Sequence, residues 1–268
     1  MTGQALLQQI QAEQPDYGKL MFWWFGQMGF ALKMGSKTLF VDLFLPGGER
    51  VRPNPATAEE ICGVDFFFGT HNHGDHIDRR MWPVYAKNNP NAKFFVPDLL
   101  KEGVAERTGI DIERFIGIND GCSVTVDGIT VTGVASAHEF LDQDAETGRY
   151  PHMGYVIEAN GCKVYHSGDC CNYEGLQTKL SKFGQFSVMF LPINGRSGRQ
   201  YAHNIIGNFT YQEAVDLAGM LQPKLVVPGH YDMMLGNTQD PYLFADFLES
   251  KYKGQKYWIG WYGEKVEV

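Results

Sequence analysis

The stretch His71-Asn72-His73-Gly74-Asp75-His76 is the most informative part of this chain. Three of its residues are imidazoles and one is a carboxylate, and all four can bind a metal ion. The preceding run, residues 64–70, is short and largely apolar, which predicts a strand that ends at this loop. The alternating His71 and His73 suit one ion, while Asp75 and His76 can turn toward a second. Because the chain has only eight histidines, a chance polar turn explains this density poorly.

Three more ligand-type residues follow, each where a predicted strand ends. His138 closes the β-branched run 128–138, Asp169 closes 163–169, and His230 closes 224–230. Each position alone is a weak signal. Together, and in this order after the first loop, they predict the residues that complete the site.

In this order the motifs resemble those of the metallo-β-lactamase-fold hydrolases, from about residue 20 to the end of the chain. Four segments look more specifically like the ascorbate-6-phosphate lactonase-like branch, namely 23–30, 70–78, 165–169 and 191–196. The resemblance implies an α/β fold, a four-layer αββα sandwich of the metallo-β-lactamase type. It also implies one metallo-hydrolase domain over residues 1–268, with two packed halves of roughly 20–150 and 151–268.

The resemblance also implies a ligand set. His71, His73 and His138 would hold one divalent ion. Asp75, His76 and His230 would hold a second, and Asp169 would bridge the two. Imidazole and carboxylate ligands suit Zn²⁺ or Mn²⁺, with Fe²⁺ less favoured. A metal-bound hydroxide formed at neutral pH would then attack the substrate, with Asp75 and Asp169 as the predicted catalytic carboxylates.

Several neighbours of these ligands have two open interpretations. Asp78 either orients a ligand imidazole or caps a helix. His166 is expected in a strand interior or behind a ligand, while His152 and His203 are expected at the surface or facing a substrate. The pair Cys170-Cys171 is expected to be structural, since adjacent cysteines form only strained disulfides.

The loop 194–208 is the predicted substrate site, because it follows a buried strand. Arg196 and Arg199 bring guanidinium groups that suit phosphate or carboxylate. Asn194 and Tyr201, with Asn204, are candidates for contacts to hydroxyl groups. The alternative is a solvated loop whose arginines pair with surface carboxylates.

Composition narrows the functional classes. The 268 residues carry a net charge of −8, which argues against a nucleic-acid or anionic-membrane surface. No apolar run approaches the ~20 residues of a membrane span, and the first 16 residues lack a signal-peptide core. Five scattered cysteines favour a reducing cytoplasm. The expected partner is a small anionic molecule, and homo-oligomerisation is left open.

The coarse order of elements is also predicted. The expected helices are a short one carrying Leu6, Leu7 and Ile10, then 78–88, 98–108, 210–221 and 241–251. The expected strands and hairpins are 19–33 paired with 37–44, then 93–96, 122–135, 153–165, 187–193, 225–227 and a terminal hairpin turning at Gly263.

Three functional hypotheses follow. The leading one is hydrolysis of a small anionic, sugar-derived lactone or ester. The second is a phosphodiesterase or nuclease on the same two-ion site, for which a broad basic surface is missing. The third is a di-iron redox protein or a metal-binding scaffold. A di-iron variant would be expected to replace a loop imidazole with an acidic residue, which this chain does not do.

Overall fold

Two β-sheets form the centre of the protein, in a computed structural model that describes residues 1–47 and 51–268. The first sheet has the order β13-β1-β2-β3-β4-β5-β6. Its strands are β1 (Met21–Gly26), β2 (Gly29–Met34), β3 (Lys37–Val41), β4 (Phe66–Phe68), β5 (Lys93–Pro97), β6 (Phe115–Ile118) and β13 (Lys265–Glu267). From β3 to β6 neighbouring strands are parallel, whereas β13, β1, β2 and β3 pair antiparallel.

The second sheet has the order β12-β11-β10-β9-β8-β7. Its strands are β7 (Ser123–Val126), β8 (Ile129–Ala135), β9 (Met153–Ala159), β10 (Cys162–His166), β11 (Val188–Pro192) and β12 (Leu225–Gly229). The chain passes from the first sheet to the second between Ile118 and Ser123. It then returns to the first sheet with β13.

Helices cover both sheets. They are α1 (Gly3–Ala12), α2 (Trp82–Asn88), α3 (Lys101–Thr108), α4 (Leu176–Ser181), α5 (Gly198–Ala202), α6 (Tyr211–Leu221) and α7 (Pro241–Lys251). Thr210 begins α6 with the predicted capping box, its side chain bonding the Glu213 amide while the Glu213 side chain bonds the Thr210 amide. Within the described residues, no helix combines the length and the apolar character that crossing a bilayer requires.

The core is divided by the first sheet. Along β1, Trp23 and Phe25 belong to an apolar cluster with residues of α1, α2 and α3, whereas Phe22 and Trp24 belong to the cluster that includes the second sheet. Between the sheets, the ring of Phe190 lies 5.3 Å from that of Phe22 and 4.1 Å from that of Phe30. With both faces buried, these strands lack a polar alternation, which explains their continuous apolar sequence. The arrangement confirms the predicted αββα sandwich.

Three of the predicted elements are wrong in detail. The expected strand 19–33 is two antiparallel strands, because Gly26 and Gln27 have positive φ angles and reverse the chain. Helix α2 begins at Trp82 rather than at residue 78. No terminal hairpin forms at Gly263, because β13 pairs with β1 instead. The hairpins at 122–135 and 153–165 and the helix over 241–251 are confirmed.

In the first sheet β1, β3, β4, β5 and β6 share one direction, and in the second sheet β8, β10, β11 and β12 share one direction. Seven of these strands, all except β5 and β6, are followed at one edge of the sandwich by a polar residue of the candidate site. In chain order these are Gln27, Asp42, His71, His138, Asp169, Asn194 and His230. This edge therefore carries the candidate site.

Candidate metal centre

The loop after β4 folds back on itself like one turn of a helix. The amides of His76 and Ile77 both donate to the carbonyl of His73, at 3.1 and 2.8 Å. The turn brings Asp75 and His76 back toward His71. Gly69, just before the loop, has no room for a side chain, because a Cβ there would lie 2.3 Å from Ile77.

Three imidazoles form one group of candidate ligands. The ligand atoms of His71, His73 and His138 all lie within 4.8 Å of one another, and Nε2 of His138 is 3.2 Å from Nδ1 of His73. Nδ1 of His138 lies 2.9 Å from the carbonyl of Gly207, to which it donates. That bond leaves the Nε2 lone pair of His138 free to bind an ion.

A second group lies beside the first. The ligand atoms of Asp75, His76 and His230 also fall within 4.8 Å of one another. Asp169 lies beside both groups: its Oδ1 is 3.4 Å from Nε2 of His76, its Oδ2 is 3.3 Å from Nε2 of His230, and a ligand atom of His71 lies within 4.8 Å of its carboxylate. The structure thus brings together all seven residues that the sequence named as ligands.

The chemistry of this cluster fits divalent ions. Nε2 of His71, Nε2 of His76 and Oδ1 of Asp169 are buried and have no hydrogen-bond partner within the described part of the chain. Such atoms are costly to bury unless something binds their lone pairs. Imidazole and carboxylate groups at this spacing are suitable ligands for two neighbouring ions.

Electrostatics in the cluster favour cations. Burial lowers the pKa of His71 well below its usual value, aided by the adjacent His76 imidazole, so His71 presents a neutral ring. Burial also lowers the pKa of His230, but the carboxylates of Asp169 and Asp75 outweigh it and raise that pKa to about 10. The imidazoles of His230 and His76 in turn hold the pKa of Asp169 well below its usual value, against the effect of burial.

Asp42 is a functional residue that the sequence reasoning missed. It follows β3, is fully buried and has a φ of +47°. Its carboxylate accepts hydrogen bonds from Nδ1 of His76 at 2.6 Å, from the Thr70 hydroxyl at 2.7 Å and from the Thr70 amide at 2.9 Å. The bond to Nδ1 directs Nε2 of His76 into the centre. The signal was an Asp directly after an apolar strand, in the run 39–42.

Gln27 and His152 were also outside the predicted site. Nε2 of Gln27 lies 3.2 Å from Oδ2 of Asp75, and the Gln27 carbonyl accepts the amide of His230 at 3.0 Å. His152 was expected at the surface or facing a substrate. Its ring lies 5.4 Å from that of His71 and 5.2 Å from that of His138, and burial lowers its pKa to about 4.

The two residues predicted to support the ligands have other contacts. The carboxylate of Asp78 accepts the amide of Arg80 at 3.0 Å, and it neither begins α2 nor bonds a ligand imidazole among the described residues. His166 is fully buried. Its Nε2 donates to the carbonyl of Met28 at 2.8 Å and its Nδ1 accepts the amide of Gly168 at 3.1 Å, so it supports the loop that carries Asp169.

The four predicted substrate residues are placed differently from one another. Arg196 forms an ion pair with Glu213, and Asn194 is buried and donates to Oδ1 of Asn237 at 2.8 Å. Arg199 and Tyr201 are exposed, and Arg199 lies beside Gly236. The alternative interpretation of the loop, in which its arginines pair with carboxylates, is therefore confirmed for Arg196, because Glu213 at the start of α6 lies within its reach.

A cavity of about 250 Å³ opens over the cluster. Its lining consists of His73, Asp75, His138, Glu139, Asp169, Asn204, Ile205, Ile206, Gly207, Asn208, His230 and Asn237. Five candidate ligands form one side of it, so a molecule in the cavity would touch the metal centre. None of the four predicted substrate residues belongs to the lining, although Asn204 does.

The cysteines after Asp169 lie behind this cavity. Cys170 and Cys171 are buried free thiols, and burial raises the pKa of Cys170 to about 12. The Sγ of Cys171 donates to the carbonyl of Ile206 at 3.2 Å. The Sγ of Cys170 donates to the carbonyl of Cys171 at 3.1 Å, so both thiols make the local contacts of packed residues.

An αββα sandwich with a buried His/Asp cluster at one strand edge defines a metal-dependent hydrolase of the metallo-β-lactamase fold. The chain belongs to the β-lactamase superfamily, whose domain model matches residues 40–231. It is 31% identical over 218 residues to a UPF0173 metal-dependent hydrolase from Thermococcus onnurineus, covering 81% of this chain and 88% of that protein.

Solved structures show the same fold. Igni18, a metallo hydrolase from Ignicoccus hospitalis, superposes with a TM-score of 0.73 at 22% identity and covers 93% of this chain and 98% of its own. An isothiocyanate hydrolase from Delia radicum gut bacteria gives a TM-score of 0.71 at 17% identity, covering 92% and 98%. These structures confirm the fold, and the family model together with the Thermococcus onnurineus relative confirms the expected class of metal-dependent hydrolase.

Proposed function

We propose that the protein hydrolyses a small sugar-derived lactone or ester at a two-ion centre. The observation that carries the proposal is the cavity of about 250 Å³ whose floor is formed by five of the seven candidate ligands. This volume lies below the ~300–1,000 Å³ of ordinary small-molecule sites, so the cavity suits a compact substrate. The proposed lactone substrate is also supported by the resemblance of four segments to the ascorbate-6-phosphate lactonase-like branch.

The ligand set provides for two divalent ions, Zn²⁺ or Mn²⁺ rather than Fe²⁺. His71, His73 and His138 would hold one, Asp75, His76 and His230 the other, and Asp169 would contact both. When bound, two such ions supply hydroxide at neutral pH and stabilise the negative charge that develops on an attacked carbonyl oxygen. No serine or cysteine nucleophile is then required.

The chain's own residues orient the reacting groups. Asp75 lines the cavity and, despite burial, its pKa is lowered by the imidazoles of His76 and His230, so its carboxylate is ionised and able to accept a hydrogen bond from a water molecule in the cavity. Gln27, which donates to Oδ2 of Asp75, fixes the orientation of that carboxylate. Asp169 contacts His76 and His230 and lies within 4.8 Å of His71, so its carboxylate can reach ions at both ligand groups.

An anionic group on the substrate would lie at the rim of the cavity. Arg199 is exposed and lies beside Gly236, whose neighbour Asn237 lines the cavity. Arg196 is already neutralised by Glu213. We therefore assign the predicted contact to phosphate or carboxylate to Arg199, and we give Arg196 a structural role.

The decisive experiment is a substrate screen of protein reconstituted with Zn²⁺ or Mn²⁺, comparing lactones, phosphodiesters and amides. We expect lactone hydrolysis, and in ¹⁸O-labelled water the label should enter the product carboxylate in a single turnover. The Asp169→Asn variant, which has the same shape but no charge, serves as the inactive control. Turnover of phosphodiesters without lactones would replace the proposal with the phosphodiesterase alternative.

A further inference from the structure

The cavity over the metal centre has a distinct hydrogen-bonding pattern on the wall that the candidate ligands do not form. This wall is formed by Glu139, by the segment 204–208 and by Asn237. Among residues 1–47 and 51–268, no Lys or Arg belongs to the lining, so these residues offer no basic side chain to an anionic group. Ile205 and Ile206 contribute the apolar part of the wall.

Two of its amides have their orientation set by protein partners. Oδ1 of Asn208 accepts the amide of Cys170 at 3.1 Å. Oδ1 of Asn237 accepts from Nε2 of Gln200 at 3.0 Å, and Oε1 of Gln200 is itself bonded to the amide of Ser197 at 2.7 Å. Oδ1 of Asn237 accepts a second bond from Nδ2 of Asn194, so both of its lone pairs are used, and Oδ1 of Asn208 faces Cys170. The NH₂ groups of Asn208 and Asn237 are therefore the groups that these side chains offer to a ligand.

Glu139 supplies a hydrogen-bond acceptor to the same wall of the cavity. Its side chain is half-buried and lines the cavity directly after His138. Within residues 1–47 and 51–268 its carboxylate has neither a hydrogen bond nor an ion pair. Its φ of +72° is a conformation that an L side chain rarely adopts. Strained backbone of this kind collects at functional sites, where the surrounding structure maintains it.

We propose that Glu139, with the amide groups of Asn208 and Asn237, selects a substrate that carries hydroxyl groups, namely the ring of a polyhydroxylated lactone. A hydroxyl both donates and accepts, so neighbouring hydroxyls match a carboxylate on one side and NH₂ groups on the other. A phosphate only accepts, and Glu139 repels it from the inner cavity. The inference rests on the proposed function and adds the feature that the site recognises.

The substrate test compares two lactones of the same ring size on the reconstituted enzyme, D-glucono-1,5-lactone with hydroxyls and δ-valerolactone without them. We expect wild type to prefer the first in kcat/KM. In Glu139→Gln and Glu139→Gly the ratio of the two kcat/KM values should fall by about ten- to a hundredfold, the value of one charge-assisted hydrogen bond. Glycine suits the left-handed backbone at this position, so Glu139→Gly is expected to fold.

A binding measurement separates this inference from the proposed reaction. D-glucono-1,5-lactam and δ-valerolactam have the same ring size as the two lactones, but an amide replaces the ester, so binding can be measured without lactone hydrolysis. Calorimetry gives the affinity of each lactam for the metal-reconstituted protein. The hydroxylated lactam should bind more tightly to wild type, and this preference should be lost in both Glu139 variants. Glu146→Gln removes the same charge from an exposed position of the same loop and should keep the preference.

The outcomes are distinguishable. Lactone hydrolysis with no preference for hydroxyls, or a preference unaffected at Glu139, overturns this inference and leaves the proposed function standing. Selective lactam binding that depends on Glu139, without any lactone or ester hydrolysis, supports the inference and removes the proposed function. Metal content and melting temperature of each variant show that the centre and the fold are intact.

Discussion

Replacement of Asp42 by Asn is the sharpest test of how the fold prepares the metal centre. In the native protein the carboxylate accepts three hydrogen bonds, from Nδ1 of His76 and from the hydroxyl and the amide of Thr70. An asparagine of the same shape has only one acceptor oxygen. If that oxygen stays on the Thr70 amide, the NH₂ group faces Nδ1 of His76. The proton of His76 then moves to Nε2, the atom needed for an ion.

The expected loss can be estimated from this geometry. Changing a group that orients a metal-binding imidazole typically weakens metal affinity by about 10- to 100-fold, which corresponds to about 1.4–2.7 kcal/mol. The charge contributes as well. Burial opposes protonation of His76, but the carboxylates of Asp169 and Asp42 raise its pKa well above the usual value. Without Asp42, one of the charges that favour a cation at His76 is missing.

The assay is a competition titration of the apoprotein with Zn²⁺ or Mn²⁺ against a chelator, combined with thermal melting. Asp65→Asn is the matched control, because Asp65 accepts the amide of Thr38 at 2.9 Å in the same sheet without contacting a candidate ligand. We expect both variants to lose some stability and only Asp42→Asn to lose metal affinity. Equal metal affinity of wild type and Asp42→Asn would refute the argument that Asp42 sets the tautomer of His76.

Three other predictions concern separate parts of the site. His230→Ala should lower the metal content of reconstituted protein from about two equivalents toward one, because it removes a ligand from one group only. Elemental analysis measures this content. If wild type and variant both hold one equivalent, the two-ion centre is contradicted. Arg199→Ala should raise KM for a phosphorylated lactone about tenfold with an unchanged melting temperature. Arg196→Ala should cost about 1–3 kcal/mol of stability, because it removes the cation that pairs with Glu213. Below pH 9, Cys170 should resist alkylation in the native protein, because the reactive form is the thiolate and burial raises the pKa of Cys170 to about 12. The exposed Cys62 and Cys122 should react under the same conditions. Rapid labelling of Cys170, followed by mass spectrometry, would count against its packed position.

The sequence was most informative where chemistry is concentrated in a short segment. The loop at 71–76 and the strand ends at His138, Asp169 and His230 identified the whole candidate ligand set, since ligand residue types are few and their order along the chain is distinctive. The periodicity and capping signals also located the helix over 210–221 and the hairpin at 122–135. These features depend on local sequence, so they could be inferred without knowledge of distant contacts.

The sequence was least informative where a role depends on residues that meet only in the folded chain. Asp42 looks like any carboxylate after a strand, and only the parallel pairing of β3 with β4 brings it to His76, which lies 34 positions further along the chain. Arg196 and Arg199 look equivalent in sequence, yet one meets Glu213 at the start of α6 and the other stays exposed. The amino-acid sequence by itself thus determined the ligand types, the class of fold and most elements. The tertiary structure decided which side chains orient the ligands and which face the cavity, because hydrogen bonds and ion pairs depend on distances of a few ångströms between residues far apart in the chain.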